Sequence, residues 1–335
     1  MPGLCYSRPA VSSENPMRKL VRTAALSRAA RLVPALALAM GLIPGRSQPA
    51  PPAALVPPAP PCSASALAAD SLAILPPLQT LARAALDRLL AGLADRLPRY
   101  EDRLRALALA RIGAPYALGT LGEANADDPD PVFRVDEADC TVLVLTTVAM
   151  AHARSAAEAE RWMGPANYRR QGDAFPVAYR NRLHFTADRL HASPLFADIT
   201  SEVAGAEERK RVHVVLNRQA GGKALLALGG WERALDLDYV PAALLAGVLP
   251  RVPGIAGIAF VRETNIARGF LVSHEGFLLD GRCLLHASAE AKRVAAVDVI
   301  DYLFRRGDPD PARAGKPRFD GALIYAFREG SGARP

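Results

Sequence analysis

The sequence predicts an α+β protein in which helices come first and a C-terminal antiparallel sheet follows. After residue 77 apolar residues recur at helical spacing, whereas after Pro253 short β-type runs alternate with turn signals. Helices followed by strands favour an α+β architecture over alternating βαβ units. The 335 residues can bury a sizeable core, and a charged fraction of 22% excludes wholesale disorder.

The first fifty residues carry most of the positive charge. The chain has 41 Lys+Arg, 34 Asp+Glu and a net charge of +7. Seven of these basic residues and one acidic residue lie in residues 1–50, which leaves 34 basic against 33 acidic residues, a net charge of +1. A basic stretch, an apolar run over 32–43 and a small-residue region are typical of a secretory signal. We predict a signal peptide and leader over 1–50, ending near residue 50, and export to the periplasm.

The leader also bears on membrane and nucleic-acid binding. Its apolar run is shorter than the ~20 residues that a membrane helix needs, so no transmembrane span is expected if the leader is cleaved; an uncleaved anchor is the alternative. The remaining net charge gives no basic excess for nucleic-acid binding.

The other domain boundaries follow from composition. Residues 51–70 are rich in Pro and Ala and predict an extended linker that cannot pack a core. Cys62 lies in this linker, and lipidation there is a weaker alternative, because Ala-Pro-Pro precedes it. Residues 71–330 form the predicted catalytic domain, with an insertion at about 155–250, and residues 331–335 form a tail.

Three helices are predicted before the sheet. Leucines at helical spacing predict a helix over Pro77–Leu97, and a second follows over Glu101–Ile112. The nearly uniform apolar run Cys140–Ala153 predicts a buried helix, with Asp139 as its N-cap. Helices and long loops are expected over 155–250.

The strands of the sheet are predicted from short apolar runs separated by turn residues. We expect one sheet, packed on the helix that begins at Cys140. The runs are Ile255–Val261, Gly269–His274, Gly276–Leu279, Cys283–Ala287, Val294–Val299 and Ala322–Phe327.

Cys140 is the candidate nucleophile. Four cysteines in a chain of this length are too few for a disulfide scaffold. At a helix N-terminus, free N–H groups and the helix dipole favour a thiolate and could hold an oxyanion. A buried, inert cysteine is the alternative.

His274 and His286 are the candidates for the general base of a cysteine hydrolase and for the residue that orients this base. They lie twelve residues apart on strands joined by a Gly-containing turn, which can place both rings on one face. A nucleophilic cysteine needs a base, and the base needs an orienting partner; hydrogen-bonded structural histidines are the alternative. A zinc site from His274, His286 and Glu275 fits no common ligand spacing, and no phosphate-binding Gly-rich motif occurs. We therefore predict no metal and no cofactor.

Four short motifs resemble a known family. Gly113–Tyr116, Asp139-Cys140, Ser273–Phe277 and His286–Ser288 are similar, in content and order, to the signature of the NlpC-type papain-like cell-wall cysteine hydrolases. The resemblance covers about residues 100–330.

A second set of residues resembles one branch of that family, the N-acetylmuramoyl-L-alanine amidase-like branch. Tyr179–Phe185 with the following Asp188, the Tyr239–Pro241 segment and the long interval between Cys140 and His274 are all similar to that branch.

The resemblance implies a papain-like fold and a role for each site residue. Cys140 would be the nucleophile, His274 the general base and acid, and His286 the residue that orients His274. Tyr116 would help to bind the oxyanion.

The resemblance also implies a substrate. It would be peptidoglycan or muropeptide fragments, cut at the bond between N-acetylmuramic acid and L-Ala. Arg182 and His184 would contact this substrate, Arg182 because a guanidinium can grip a carboxylate bidentately.

The chain departs from the branch at several positions. Val142 and Leu145 stand where the branch usually has Thr and Glu, and Arg189 stands where it has Trp. Two alternatives therefore stay open. One is an endopeptidase that cuts the stem peptide between D-Glu and the diamino acid, and the other is a catalytically inactive wall-binding domain.

Overall fold

The computed structural model describes Cys62 and residues 75–304 and 311–330. The predicted leader (1–50), the predicted tail (331–335) and the predicted linker (51–70) apart from Cys62 lie outside the described residues.

The first helices lie where they were predicted, although α1 begins at Arg83 rather than at Pro77. A short 3-10 turn over Leu78–Thr80 precedes helix α1, and Pro98 separates α1 from α2. Helix α3 begins at Cys140, as predicted. The helices of the described residues are α1 (Arg83–Arg96), α2 (Tyr100–Ala110), α3 (Cys140–His152), α4 (Ala156–Asn167), α5 (Thr186–Ala192), α6 (Thr200–Val203), α7 (Ala242–Val248) and α8 (Val299–Phe304).

An antiparallel sheet forms the second layer. The strands are β1 (Phe196–Asp198), β2 (Lys210–Leu216), β3 (Arg233–Pro241), β4 (Ile255–Val261), β5 (Val272–Leu279), β6 (Cys283–Ser288), β7 (Arg293–Asp298) and β8 (Gly321–Phe327). Their order is β2-β3-β8-β4-β5-β6-β7, and β1 pairs with β8. The α+β prediction with an antiparallel sheet is confirmed.

Two strand predictions needed correction. The runs Gly269–His274 and Gly276–Leu279 are replaced by one continuous strand, β5. It begins only at Val272, because a 3-10 helix over Glu263–Arg268 ends at Gly269 with a φ of +84°. The interpretation of 155–250 as helices and loops was wrong in part, since β1, β2 and β3 lie there. The alternating burial along Lys210–Leu216 is a β pattern, but the run is only seven residues long.

The sheet has an apolar cluster on each face. On one face, Phe277, Leu279 and Tyr325 pack in the cluster that contains α3, whose residues Val142–Ala151 are buried all round. On the other face, Phe260 and Leu278 pack in a second cluster with α7 and α8. Successive residues of β5 therefore point to opposite faces of the sheet and pack in different apolar clusters.

A disulfide joins the predicted linker to the sheet. Cys62 is bonded to Cys283, at the start of β6, across 221 residues. The sequence predicts no partner for either residue. The bond fixes Cys62 against the α3 face of the sheet, where Cys283 is buried.

No single helix of the described residues is long and apolar enough to cross a membrane. One pair, α3 and α4, meets the length and composition test together, with a bend of 120° between them.

We expect the double variant Cys62→Ser/Cys283→Ser to unfold more easily than the parent. The cross-link restricts the unfolded chain, so its loss should lower the free energy of unfolding by about 2–4 kcal/mol. Denaturant titration under non-reducing conditions measures the difference. In a reducing buffer the two proteins should converge; equal midpoints without reductant would contradict the expectation.

Candidate functional site

Asp139 organises the N-terminus of α3. Its side chain accepts one hydrogen bond from the Val142 N–H and another from the Gly119 N–H, each of 2.8 Å. The first bond confirms the predicted N-cap, and the second ties the loop that follows Tyr116 to the same helix end. Cys140 is thereby fixed as the first residue of the helix, and it is completely buried.

Burial governs the protonation of Asp139. Removal from water raises the pKa of its carboxyl from 3.8 to about 6, although the hydrogen bonds from Val142 and Gly119 oppose the shift. The negative charge of Glu275 adds to the rise. The helix end that carries Cys140 therefore holds a carboxyl group whose ionised form is destabilised by burial.

Cys140 is itself disulfide-bonded. Together with the Cys62–Cys283 bond, this leaves no free cysteine among the described residues. Any chemistry of the Cys140 thiolate therefore requires reduction of this bond first.

The two predicted histidines form a hydrogen-bonded pair. His274 Nε2 lies 2.7 Å from His286 Nδ1, so one of these nitrogens donates to the other. Gly276, between them in the hairpin, provides the space, because a Cβ there would lie 2.6 Å from the Leu285 carbonyl and 3.1 Å from His286 Cβ. The structure thus places both imidazoles on one face, as the hairpin predicts.

An aromatic environment keeps His274 neutral. Its ring is stacked on Phe260 and Phe319, at centroid distances of 6.0 and 6.3 Å. Burial, and secondarily the charge of Arg318, lowers the pKa of His274 from 6.5 to about 3. The ring is therefore neutral at neutral pH, but a pKa this far below the working pH makes it a weak proton acceptor in this environment.

Glu275, the next residue on β5, projects to the opposite face and anchors α3. Its carboxylate accepts hydrogen bonds from Thr141 at 2.9 Å and from Thr186 at 3.2 Å. The Tyr325 hydroxyl donates another at 3.0 Å, and the Arg189 guanidinium pairs with the same carboxylate. One residue after Cys140 is thus bonded to one residue after His274, whereas His274 itself projects from the other face of β5 into the cluster of Phe260 and Phe319. The structure therefore brings the two chain segments together but places the His274 ring on the face of the sheet opposite to α3.

This network was not recognised in the sequence. Arg189 was noted as a departure from the family pattern, and Glu275 as part of the histidine motif, but nothing linked them across 86 residues. No local signal marked the pair, because Arg189 and Glu275 each lie among other polar residues in the sequence.

Tyr116 lies beside the same helix end. Its N–H donates to the Lys292 carbonyl at 3.0 Å, and it forms a bridge with Ala138. Burial and the nearby Asp139 raise the pKa of its phenol from 10.0 to about 12. The hydroxyl is therefore protonated at neutral pH and can act as a hydrogen-bond donor.

The structure places Arg182 in the interior. Only 1% of its side chain is exposed, and its guanidinium bonds to Glu123 at 2.6 Å and to Asp128 at 3.2 Å. A cation–π contact with Tyr179, at 5.5 Å, adds to this packing. Its predicted contact with substrate stays a prediction, and in this structure Arg182 holds two carboxylates of its own chain.

His184 faces a small cavity beside α3. The cavity is lined by Asp139, Thr141, Asn167 and His184, among others. His184 Nε2 donates to the Tyr179 carbonyl at 2.8 Å, and burial lowers the pKa of the ring to about 3. His184 is therefore close to the nucleophile segment, but its substrate contact is likewise still a prediction.

No group of three or more His, Cys, Asp or Glu residues within 75–304 or 311–330 has the arrangement of a metal site.

Comparison with known proteins identifies the family. Residues 107–307 match the AmiA-like family model, described as N-acetylmuramoyl-L-alanine amidase-like. The chain belongs to this family. The matched region contains all six residues assigned to the site by sequence, which are Tyr116, Cys140, Arg182, His184, His274 and His286.

Solved structures share the fold of this amidase-like protein. A protein from Legionella pneumophila is 21% identical, with a TM-score of 0.60, and the match covers 75% of this chain and 96% of that one. An N-acetylmuramoyl-L-alanine amidase from Bacteroides uniformis is also 21% identical, with a TM-score of 0.53 and coverages of 69% and 99%. At these identities the likeness concerns the fold. No curated protein matches the chain in sequence.

We expect Asp139→Asn to change how stability depends on pH. The native state of the parent holds a proton on Asp139 up to about pH 6, whereas the unfolded state loses it near pH 3.8. Asp139 therefore makes the parent less stable as the pH rises from about 4 to 6, with a slope of up to ~1.4 kcal/mol per pH unit. Denaturant titrations across this range should show that the free energy of unfolding of Asp139→Asn lacks this decrease with rising pH.

Asp136→Asn is the matched control. Its hydrogen bond with Arg134 lowers the pKa of Asp136, so this carboxylate stabilises the protein above its unfolded pKa and loses that effect as the pH falls. Its removal should change the pH dependence in the opposite sense. A profile of Asp139→Asn parallel to that of the parent would refute the assignment.

We expect Glu275→Gln to be strongly destabilising. It leaves the buried Arg189 without an opposing carboxylate, a loss of about 3–5 kcal/mol, and Glu275→Gln/Arg189→Met should recover much of it. The control Glu160→Gln breaks an exposed pair with Arg83 and should change stability by about 0–1 kcal/mol. Equal effects of the two single substitutions, measured by denaturant unfolding, would contradict a structural role for the network.

Proposed function

We propose that this amidase-like protein is an exported, papain-like cysteine hydrolase of the NlpC type. It cleaves an amide bond in peptidoglycan or muropeptides, namely the bond between N-acetylmuramic acid and L-Ala. The observation that carries the proposal is the 2.7 Å hydrogen bond between His274 and His286, on the strand pair bound to the helix that begins at Cys140. Membership of the family supports a peptidoglycan substrate.

Cys140 is the nucleophile of the proposed reaction. In this proposal His274 accepts the thiol proton, which requires its ring to leave the cluster of Phe260 and Phe319 and approach Cys140. The thiolate then attacks the carbonyl carbon of the scissile amide. The resulting oxyanion is stabilised by N–H groups at the α3 N-terminus and by the Tyr116 hydroxyl. Because Asp139 bonds the Val142 and Gly119 N–H groups, the donors left for the oxyanion are nearer to Cys140 itself.

His274 then acts as a general acid and again as a base. It transfers the proton to the departing amine of L-Ala, which leaves a thioester between Cys140 and the lactyl group. A water molecule, deprotonated by His274, attacks the thioester and regenerates the thiol. Since His274 Nε2 is bonded to His286, Nδ1 is the nitrogen assigned to the proton transfers.

The active form in this proposal is the reduced one. Cys140 is disulfide-bonded in the structure, and its sulfur must be free of this bond before it can attack a carbonyl. The Cys62–Cys283 disulfide supports export, because such bonds persist in oxidising compartments. The predicted signal peptide over residues 1–50 supports the same location.

A catalytically silent wall-binding protein is the second candidate. The observation that favours it is the disulfide at Cys140, because a bonded sulfur cannot attack a carbonyl. This candidate predicts muropeptide binding that is unaffected by reductant and no turnover in either redox state.

Digestion of purified muropeptides, analysed by mass spectrometry, tests the proposal. In a thiol reductant we expect release of intact stem peptide beginning with L-Ala. Cys140→Ala and His274→Ala should each lower kcat/KM by at least about 10³-fold, and His286→Asn by less, because it acts through His274. The control Cys62→Ser/Cys283→Ser, which lacks the other disulfide, should retain activity with the same dependence on reductant.

The masses of the released fragments distinguish the remaining candidate functions. Cleavage within the stem, between D-Glu and the diamino acid, would replace the amidase proposal by the endopeptidase one. Unchanged turnover by Cys140→Ala would overturn the cysteine mechanism. Binding without turnover in reductant would favour the silent wall-binding protein.

A further inference from the structure

A cluster of charged residues is centred on Asp188 of helix α5. The Asp188 carboxylate is completely buried and is shared by two guanidinium groups. Arg169 bonds one carboxylate oxygen at 2.5 Å, and Arg233 bonds the other at 2.7 Å. We call Arg169, Asp188 and Arg233 the arginine pair cluster.

The charges of this cluster do not balance. Two guanidinium groups and one carboxylate leave a net charge of +1, and the positive charge of Arg233 helps to lower the pKa of Arg169, which burial already depresses. Arg182 shows the opposite balance, since it is shared by Glu123 and Asp128. The cluster is therefore suited to a negatively charged ligand.

Arg233 can reach such a ligand. Its side chain is 31% exposed, and Nη1 donates to Asp188. Within the described residues, Nε and Nη2 of Arg233 have no hydrogen-bond partner. These two nitrogens present the planar fork that binds a carboxylate through two parallel hydrogen bonds.

Arg169 is held rigidly behind Arg233. Its guanidinium lies 3.8 Å from the centroid of the Trp231 ring, and Trp231 is stacked on Phe185. It also donates to the Arg180 carbonyl at 3.2 Å. The charge is thus fixed in place before a ligand arrives, which reduces the entropy lost on binding.

The cluster is linked to the nucleophile segment through α5. Thr186 bonds Glu275, which also accepts from Thr141, and Asp188 is two residues further along the same short helix. A stem peptide spans about 3.3–3.6 Å per extended residue, so a carboxylate two or three residues beyond the cut would lie about 7–11 Å from it.

We propose that Arg169 and Arg233, held by Asp188, form an anion subsite that binds a carboxylate of the stem peptide. The inference rests on the proposed function, because it assumes a muropeptide at the Cys140 site. It assigns Arg233 the direct bidentate contact and Arg169 the supporting charge, and it identifies the stem peptide, rather than the sugar, as the part of the substrate recognised here.

Steady-state kinetics with Arg233→Gln test the subsite. Muropeptides with free carboxyl groups are compared with those in which the D-Glu or the diamino acid carboxyl is amidated. We expect KM for the free acid to rise about 10–100-fold, because a charge-assisted contact is lost, while kcat changes less than about twofold. The substrate whose amidation removes the effect identifies the bound carboxylate.

Matched variants exclude a general loss of structure or charge. Arg233→Lys keeps the charge without the fork and should give an intermediate KM. Arg211→Gln removes an exposed arginine on β2 that pairs with Asp238, and KM should stay at the parent value. Equal KM values for Arg233→Gln and the parent on the free acid would overturn the subsite.

Binding measurements keep this test independent of catalysis. Calorimetry with Cys140→Ala, with and without Arg233→Gln, reports affinity for free and amidated muropeptides without turnover. A loss of affinity for the free acid alone supports the subsite even if no variant turns over substrate, which would count against the proposed hydrolysis. Turnover with no effect of Arg233→Gln on either KM or affinity would reject the subsite and leave the hydrolase intact.

Discussion

The Glu275 carboxylate is the point at which the site is assembled. It lies on β5, is almost completely buried, and receives hydrogen bonds or ion pairs from α3, α5 and β8. Burying a carboxylate is costly unless it is paired and fully hydrogen-bonded. Each oxygen here has two donors, so displacing α3 or α5 would leave a buried charge undersatisfied. Four elements are therefore fixed together by one side chain.

Side chains alternate between the two faces of β5, so neighbouring residues have different environments and roles. Glu275 faces α3, whereas His274 faces the aromatic cluster of Phe260 and Phe319. The face that fixes the helix is thus charged and saturated with hydrogen bonds, and the face that holds the histidine pair is apolar. These two environments explain why His274 is kept neutral although a buried ion pair lies beside it in sequence.

Local signals made part of this site predictable. The cap at Asp139, the start of α3 at Cys140 and the pairing of His274 with His286 depend on residues close in sequence, on helix-end chemistry and on strand alternation. The strands β2 and β3 were missed because propensity over short, half-exposed runs is weak. The disulfide partner of Cys62 could not be predicted for a different reason. Cys62 and Cys283 are separated by 221 residues, and no local sequence pattern encodes such a contact.

The roles of the arginines show most clearly why residue type alone does not define function. Arg182 was expected to meet a carboxylate, and it does, but the carboxylates belong to Glu123 and Asp128 of its own chain. Arg189 is likewise matched by Glu275. A guanidinium becomes available to a ligand when its own chain does not neutralise it, and this depends on how many carboxylates fold around it. At Asp188 one carboxylate serves Arg169 and Arg233, so the excess charge is a property of the fold and not of any single motif.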